Sequence, residues 1–90
     1  MLKLLSSNQF KKDLKLLAKR KLDLSLLDEI VEKLIRQEPL PKKNKDHALT
    51  GNYIGFRECH IKPDWLLIYR IDEGKLILFL SRTGTHSDLY

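Results

Sequence analysis

This 90-residue chain has a single cysteine and a single tryptophan, and its four glycines and three prolines are scattered. One cysteine excludes an internal disulfide. Secreted scaffolds of this size usually carry bridges, so the expectation is a reducing, cytoplasmic setting. No apolar run approaches the roughly 20 residues that span a bilayer. The first residues also lack the long uncharged stretch and small-residue cleavage site of a signal peptide, and no membrane association is expected. Gly51, Gly55, Gly74 and Gly84 are too dispersed for a phosphate loop or a dinucleotide fingerprint. Neither a Gly-x-Ser-x-Gly nucleophile motif nor Cys-x-x-Cys, His-Glu-x-x-His or paired Cys/His spacing occurs. The chemistry is therefore read as needing no metal and no cofactor. Internal repeats and low-complexity tracts are absent.

What is present is one small domain, residues 1–90, with an ordinary apolar fraction of 42%. Its charge is unevenly placed. Residues 1–45 hold twelve Lys/Arg against six Asp/Glu, and residues 46–90 hold five against six. A basic half beside a nearly neutral half suggests a docking surface for a polyanion next to a separate reactive patch.

The apolar pattern predicts an α+β fold. Met1–Leu5 reads as a first strand. Ser6 or Ser7 caps a helix from Asn8 to about Lys21, with Phe10, Leu14 and Leu17 on its buried stripe. Asp23 or Ser25 caps a second helix carrying Leu26, Leu27, Ile30, Val31, Leu34 and Ile35, which ends near Glu38 ahead of Pro39. The short connection predicts an antiparallel helical hairpin. From Pro39 to about Thr50 the chain reads as a basic surface loop. Strands are predicted at Tyr53–Ile61, Trp65–Ile71 and Leu76–Ser81, joined by Lys62-Pro63-Asp64 and Asp72-Glu73-Gly74-Lys75 as turns. The result is a three-stranded antiparallel meander which, with the first strand, makes a four-stranded sheet with helices on one face. Leu66-Leu67-Ile68 and Ile77-Leu78-Phe79-Leu80 are apolar on both sides, so the second face needs partial cover or forms a shallow groove, around which polar strand ends would make a site.

Those polar ends contain every histidine. The clusters are Asp46-His47, Arg57-Glu58-Cys59-His60, Pro63-Asp64-Trp65 and Arg82-Thr83-Gly84-Thr85-His86. Histidine exchanges protons near neutral pH, and arginine presents a planar fork of donors that matches phosphate. Gly84 allows a sharp turn that re-aims His86 over the sheet, where Arg82 can share its pocket as a phosphate clamp beside a proton donor. Arg57 and Glu58, adjacent on a strand, point to opposite faces and do not pair. Cys59 reads as a small buried apolar residue. Trp65, at a strand start, reads either as core or as a platform on which a base stacks.

Three blocks carry a family resemblance: Lys45-Asp46-His47-Ala48-Leu49-Thr50-Gly51, the run from Phe56 to Tyr69 around Lys62-Pro63-Asp64-Trp65, and Arg82-Thr83-Gly84-Thr85-His86-Ser87-Asp88-Leu89-Tyr90. Together they resemble the YafQ-type toxins of the RelE/ParE superfamily of bacterial type II toxin–antitoxin systems, over essentially the whole chain. The resemblance implies an endoribonuclease that cuts mRNA on the ribosome and is held inactive by a cognate antitoxin. Operator DNA would be met only through that antitoxin. It implies catalytic roles for His47, His60, Asp64, Arg82 and His86, and substrate contacts for Trp65 and Tyr90. Tyr90 stands where the family usually has phenylalanine. Lys42, Lys43 and Lys45 would then grip RNA. Arg82 would hold the phosphate and His86 would protonate the leaving group, with the base among His47, His60 and Asp64. The alternatives are a ParE-like toxin acting on DNA gyrase, against which the histidine set argues, and a weakly catalytic antitoxin-binding module.

Overall fold

The computed structural model describes all 90 residues. Its elements are β1 (Lys3–Ser6), α1 (Asn8–Lys19), α2 (Leu24–Ile35), β2 (His47–Ala48), β3 (Arg57–Lys62), β4 (Trp65–Asp72), β5 (Ile77–Gly84) and α3 (His86–Leu89), with 3-10 turns at Lys42–Asn44 and Gly51–Tyr53. The fold is α+β, as expected. The sheet, however, has five strands rather than four, in the order β1-β5-β4-β3-β2. The fifth is the two-residue β2, which lies inside the segment read as a loop and pairs antiparallel with β3. β1 runs parallel to β5, so the sheet is mixed.

The helix ends follow local chemistry. Ser7 caps α1, its hydroxyl accepting from the Phe10 amide at 2.9 Å while donating to the Ser81 carbonyl at 2.7 Å. Asp23 caps α2 through the Ser25 amide at 3.1 Å. Both helices stop before the sequence reading places their ends. Lys21 and Gln37 turn left-handed at φ 61° and 58°, a conformation that cannot continue a right-handed helix. β3 likewise begins at Arg57 and not Tyr53, because Gly51 (φ 64°) and Gly55 (φ 90°) bend the preceding segment out of extended geometry.

β4 is the central strand, and Trp65 to Tyr69 are all buried. Alternation sends Trp65, Leu67 and Tyr69 into the main core with Phe10, Leu17, Leu27, Ile30, Val31, Leu34, Cys59, Leu78 and Leu80. Leu66 and Ile68 point the other way, onto Leu89 of α3, with Leu49, Tyr53 and Phe56 alongside. Each fully buried Leu or Ile contributes about 1.5–3 kcal/mol relative to exposure. The helices therefore do not all lie on one face. The α1/α2 hairpin covers one side, and the single turn of α3 covers part of the other. No helix is long and apolar enough to cross a membrane.

Candidate active site

Strand register gathers the site on the face turned away from the helical hairpin. His47 of β2 lies opposite Glu58 of β3, Glu58 opposite Ile68 of β4, and Ile68 opposite Arg82 of β5. The next row on the same face joins His60, Leu66 and Gly84. Leu66, Ile68 and Leu89 form an apolar floor under these polar groups.

Glu58 sits at the centre of the cluster. Its side chain is only 7% exposed, and Oε2 accepts a hydrogen bond from the Tyr90 hydroxyl at 2.6 Å. Oε1 faces the Nε2 atoms of His47 at 3.6 Å and His60 at 3.9 Å. Each imidazole is oriented from behind. Nδ1 of His47 lies 2.6 Å from the Lys45 carbonyl oxygen, and Nδ1 of His60 lies 3.2 Å from that of Pro63. A carbonyl only accepts, so each Nδ1 carries the proton and each Nε2 is left as the working atom. A proton placed on either Nε2 would lie between imidazole and carboxylate.

His86 approaches from α3. Its ring centroid is 6.0 Å from that of His60, with the planes 59° apart. Asp64 fixes His86 twice, accepting from its amide at 3.1 Å and from Nδ1 at 2.7 Å, and this contact holds the Asp64 carboxyl below the usual carboxylate range. Asp64 is thereby the orienting partner of His86, and Nε2 of His86 faces outward from the pair. Thr85 caps α3, exchanging reciprocal hydrogen bonds with Asp88, which places His86 at the start of the helix and Tyr90 just past its end.

Arg82 is already engaged. Nε and Nη2 donate to Asp13 of α1 at 2.9 and 3.2 Å, and this pairing, with a smaller effect from Tyr53, raises the guanidinium pKa above its ordinary value. Asp13 also accepts from the Thr83 amide at 3.1 Å. Such a grip uses one fork of the guanidinium. Nη1 has no part in the Asp13 pairing, and the second fork, Nη1 with the remaining N–H of Nη2, lies towards Tyr53 and is the edge that can meet a phosphate.

Among the expected substrate contacts, Trp65 needs correction. It is 3% exposed within the main core, and its indole N–H donates to the Thr83 hydroxyl at 2.9 Å. A ring buried in this way has no face to offer a base. Tyr90 is 62% exposed and stacks edge-on against Tyr53 at 6.0 Å, at the rim of the site. Lys42, Lys43 and Lys45 are exposed. Lys43 and Lys45, with Lys62, Asn44 and His60, line a cleft of about 340 Å³ beside the histidines, which Lys42 does not reach.

Arg57 points away from Glu58, as alternation requires. It pairs with Asp46 at 3.3 Å, and Asp46 also accepts from the Tyr69 hydroxyl at 2.6 Å. Burial pushes the Cys59 thiol up to about 12, so it stays neutral and takes no part in the chemistry. No three His, Cys, Asp or Glu side chains are grouped to hold a metal ion.

Sequence reasoning passed over Glu58, although the signal was available. Glu58 and His60 are two apart on a strand and so share a face. It also passed over Asp13 of α1 and Arg20 at its C-cap, whose partners are distant in sequence.

A family model described as the bacterial toxin of type II toxin–antitoxin system, YafQ, matches residues 2–90. The chain is 45% identical over 85 residues to the mRNA interferase toxin YafQ of Escherichia coli K12, covering 93% of this chain and 90% of that one. It superimposes with a TM-score of 0.94 and 49% identity on the crystal structure of a metal-bound toxin from Helicobacter pylori, over the full length of both chains. It superimposes with a TM-score of 0.91 and 40% identity on YafQ in the E. coli DinJ–YafQ complex, over 100% of this chain and 99% of that one. Extent of match and degree of identity agree, and this chain belongs to the YafQ family of toxins of bacterial type II toxin–antitoxin systems.

Proposed function

We propose that this chain is an endoribonuclease that cuts mRNA by attack of a ribose 2′-hydroxyl on the adjacent phosphorus. The observation carrying the proposal is the approach of His60 and His86, ring centroids 6.0 Å apart, beside a buried Glu58 on one face of the sheet. The reaction needs a base at the 2′-oxygen, a cation at the non-bridging oxygens and an acid at the 5′-oxygen. Glu58 and Arg82 share one row of the sheet, His60 lies in the next, and His86 follows two residues after Gly84, which supports this assignment. The 2′ proton passes to Glu58, directly or by way of His60, with His47 on the other side of the carboxylate. Asp64 is committed to His86, so it leaves the set of candidate bases and serves to orient the acid. The free fork of Arg82 meets the phosphate and balances the charge that builds on it. As the bond from phosphorus to the 2′-oxygen forms, the bond to the 5′-oxygen breaks and His86 supplies that oxygen with a proton. Each positioned acid or base contributes about 10²–10⁴-fold. The ring of Tyr90 packs against a base or sugar at the rim.

The E. coli relative is named for mRNA cleavage, which supports the same substrate here. Exposed Lys12, Lys15 and Lys19 on α1, with Lys42, Lys43 and Lys45, give a basic surface suited to ribosomal RNA, so the ribosome is the setting in which mRNA is presented. The E. coli DinJ–YafQ toxin–antitoxin complex supports a cognate antitoxin as the neutralising partner here. The test is mapping of RNA ends after incubation of an mRNA with ribosomes and either wild-type protein or His86→Ala. The expected products end in a 5′-hydroxyl and a 2′,3′-cyclic or 3′-phosphate, and the variant is slower by at least about 10²-fold. Products with 5′-phosphates, or a variant that cuts at the wild-type rate, would overturn the mechanism. Intact transcripts with undiminished growth arrest would point to a gyrase-type target instead.

A further inference from the structure

We infer that α1 is the positioning element of the active site, with Asp13 setting the Arg82 guanidinium and Arg20 setting the His86 imidazole. The inference rests on the roles proposed above for Arg82 and His86. Asp13 of α1 and Arg20, the residue that caps its C-terminus, are seven positions apart, about two helical turns, which puts them on the same side of the element. They carry opposite charges and each grips the C-terminal part of the chain with two hydrogen bonds. Asp13 takes Nε and Nη2 of Arg82 at 2.9 and 3.2 Å. Arg20 donates from Nη1 and Nη2 to the two carboxylate oxygens of Asp88 at 2.7 and 3.1 Å.

Asp88 passes the constraint to His86. It is the third residue of α3, and its carboxylate also accepts from the Thr85 amide at 2.9 Å while its own amide donates to the Thr85 hydroxyl at 3.2 Å. α3 is a single turn and cannot hold its own orientation, because helices this short are not stable without tertiary contacts. Its apolar anchor is Leu89, and its polar anchors are Asp64 at one end and Arg20 through Asp88 on its flank. Gly84 permits this close packing, since a Cβ there would lie 2.9 Å from Asp88 Oδ2. The sheet fixes His60 and Glu58. The separation between guanidinium and imidazole depends instead on α1, which contributes nothing to the apolar floor of the site. Neither Asp13 nor Arg20 touches a reacting atom, so both are positioning residues.

The test uses Arg20→Gln, since Arg20 is exposed at the end of α1 and its loss leaves the core intact. Cleavage of a ribosome-programmed mRNA is measured beside melting temperature and the imidazole NMR signals of His86. Misplacing a catalytic group by an ångström costs up to about 10²-fold. The expected result is a kcat lower by about ten- to a hundredfold, KM within about twofold, shifted His86 signals, and a melting temperature within about 4 °C of wild type. Arg20→Lys keeps the charge but loses the fork, and falls between the two. On a His86→Ala background, Arg20→Gln costs nothing further, because it acts through that ring. Wild-type kcat for Arg20→Gln, when His86→Ala is inactive, would overturn this inference and leave the mechanism standing. An equal further loss on the His86→Ala background would also overturn it, by showing that Arg20 acts elsewhere. A fully active His86→Ala would remove the mechanism first and this inference with it.

Discussion

Replacing Glu58 by glutamine separates catalysis from stability at the centre of the site. The two side chains have nearly the same shape, and the amide carbonyl can still accept the Tyr90 hydroxyl that now sits 2.6 Å from Oε2. What disappears is a negative charge and a proton acceptor. If Glu58 receives the 2′ proton, alone or through His60, its loss should cost about 10²–10⁴-fold in kcat, or roughly 2.7–5.5 kcal/mol of transition-state stabilisation. Stability should move the other way or not at all. The carboxylate is 7% exposed, and the Tyr90 hydroxyl is its one hydrogen-bond donor closer than the histidines at 3.6 and 3.9 Å. A buried charge with so little compensation is a cost to folding. The glutamine NH₂ would instead turn towards Nε2 of His47 or His60, and in the tautomer with the proton on Nδ1 that nitrogen accepts from it. Two measurements suffice: single-turnover cleavage of ribosome-bound mRNA, and a urea midpoint at neutral pH. A variant that cuts at the wild-type rate refutes the role of Glu58. A variant that loses activity in proportion to a lowered midpoint shows that the carboxylate holds the fold and was never the base.

Trp65→Phe should lower stability by about 1–3 kcal/mol through the lost volume and the lost indole bond to Thr83, yet leave cleavage of the folded fraction unchanged, as judged by urea denaturation beside the cleavage assay. Added RNA should leave the native Trp65 fluorescence unquenched, since the ring is in the core. Acid should weaken the fold along a limb set by Asp88 and Asp64. Arg20, then the Thr85 backbone, hold the Asp88 carboxyl well below the usual carboxylate range, and His86 holds Asp64 below it as well. A carboxyl depressed on folding adds stability that is complete above its unfolded pKa of about 4 and drains away as pH falls towards the folded value. Urea midpoints should therefore decline below about pH 4, and Asp88→Asn should flatten that decline while lowering the plateau at neutral pH. An unchanged slope would show that the Arg20–Asp88 pair does not form in solution.

The parts of the fold that the sequence made legible are those set by local rules. Ser7 and Asp23 cap the helices because side chains of that type at those places have few competing uses. Arg57 and Glu58 part company because adjacent strand residues must. The missed parts depend on pairing between distant segments. Nothing in Lys3–Ser6 says that it will lie parallel to β5, and two residues are too few for β2 to announce itself. Trp65 was open to two readings from its place at a strand start, although alternation with Leu67 and Tyr69 already favoured the helical side.

The site shows the same division in a more useful form. His47, His60, Asp64 and His86 stand out in the sequence because polar groups interrupt apolar strands, and the structure brings His47 and His60 onto one carboxylate and His86 onto Asp64. Arg82 also stood out, but not the fact that Asp13 occupies one of the two forks of its guanidinium. That engagement follows from β5 outrunning β1. β1 ends at Ser6, paired to Leu80, so β5 beyond that point has an open edge, and the first half of α1 fills it. Asp13 closes the edge by accepting the Thr83 amide and takes the neighbouring guanidinium in the same contact. A strand edge left unpaired would expose backbone donors. The carboxylate that satisfies this one is the group that aims the arginine, so the requirement of the sheet and the geometry of the site are met by a single side chain.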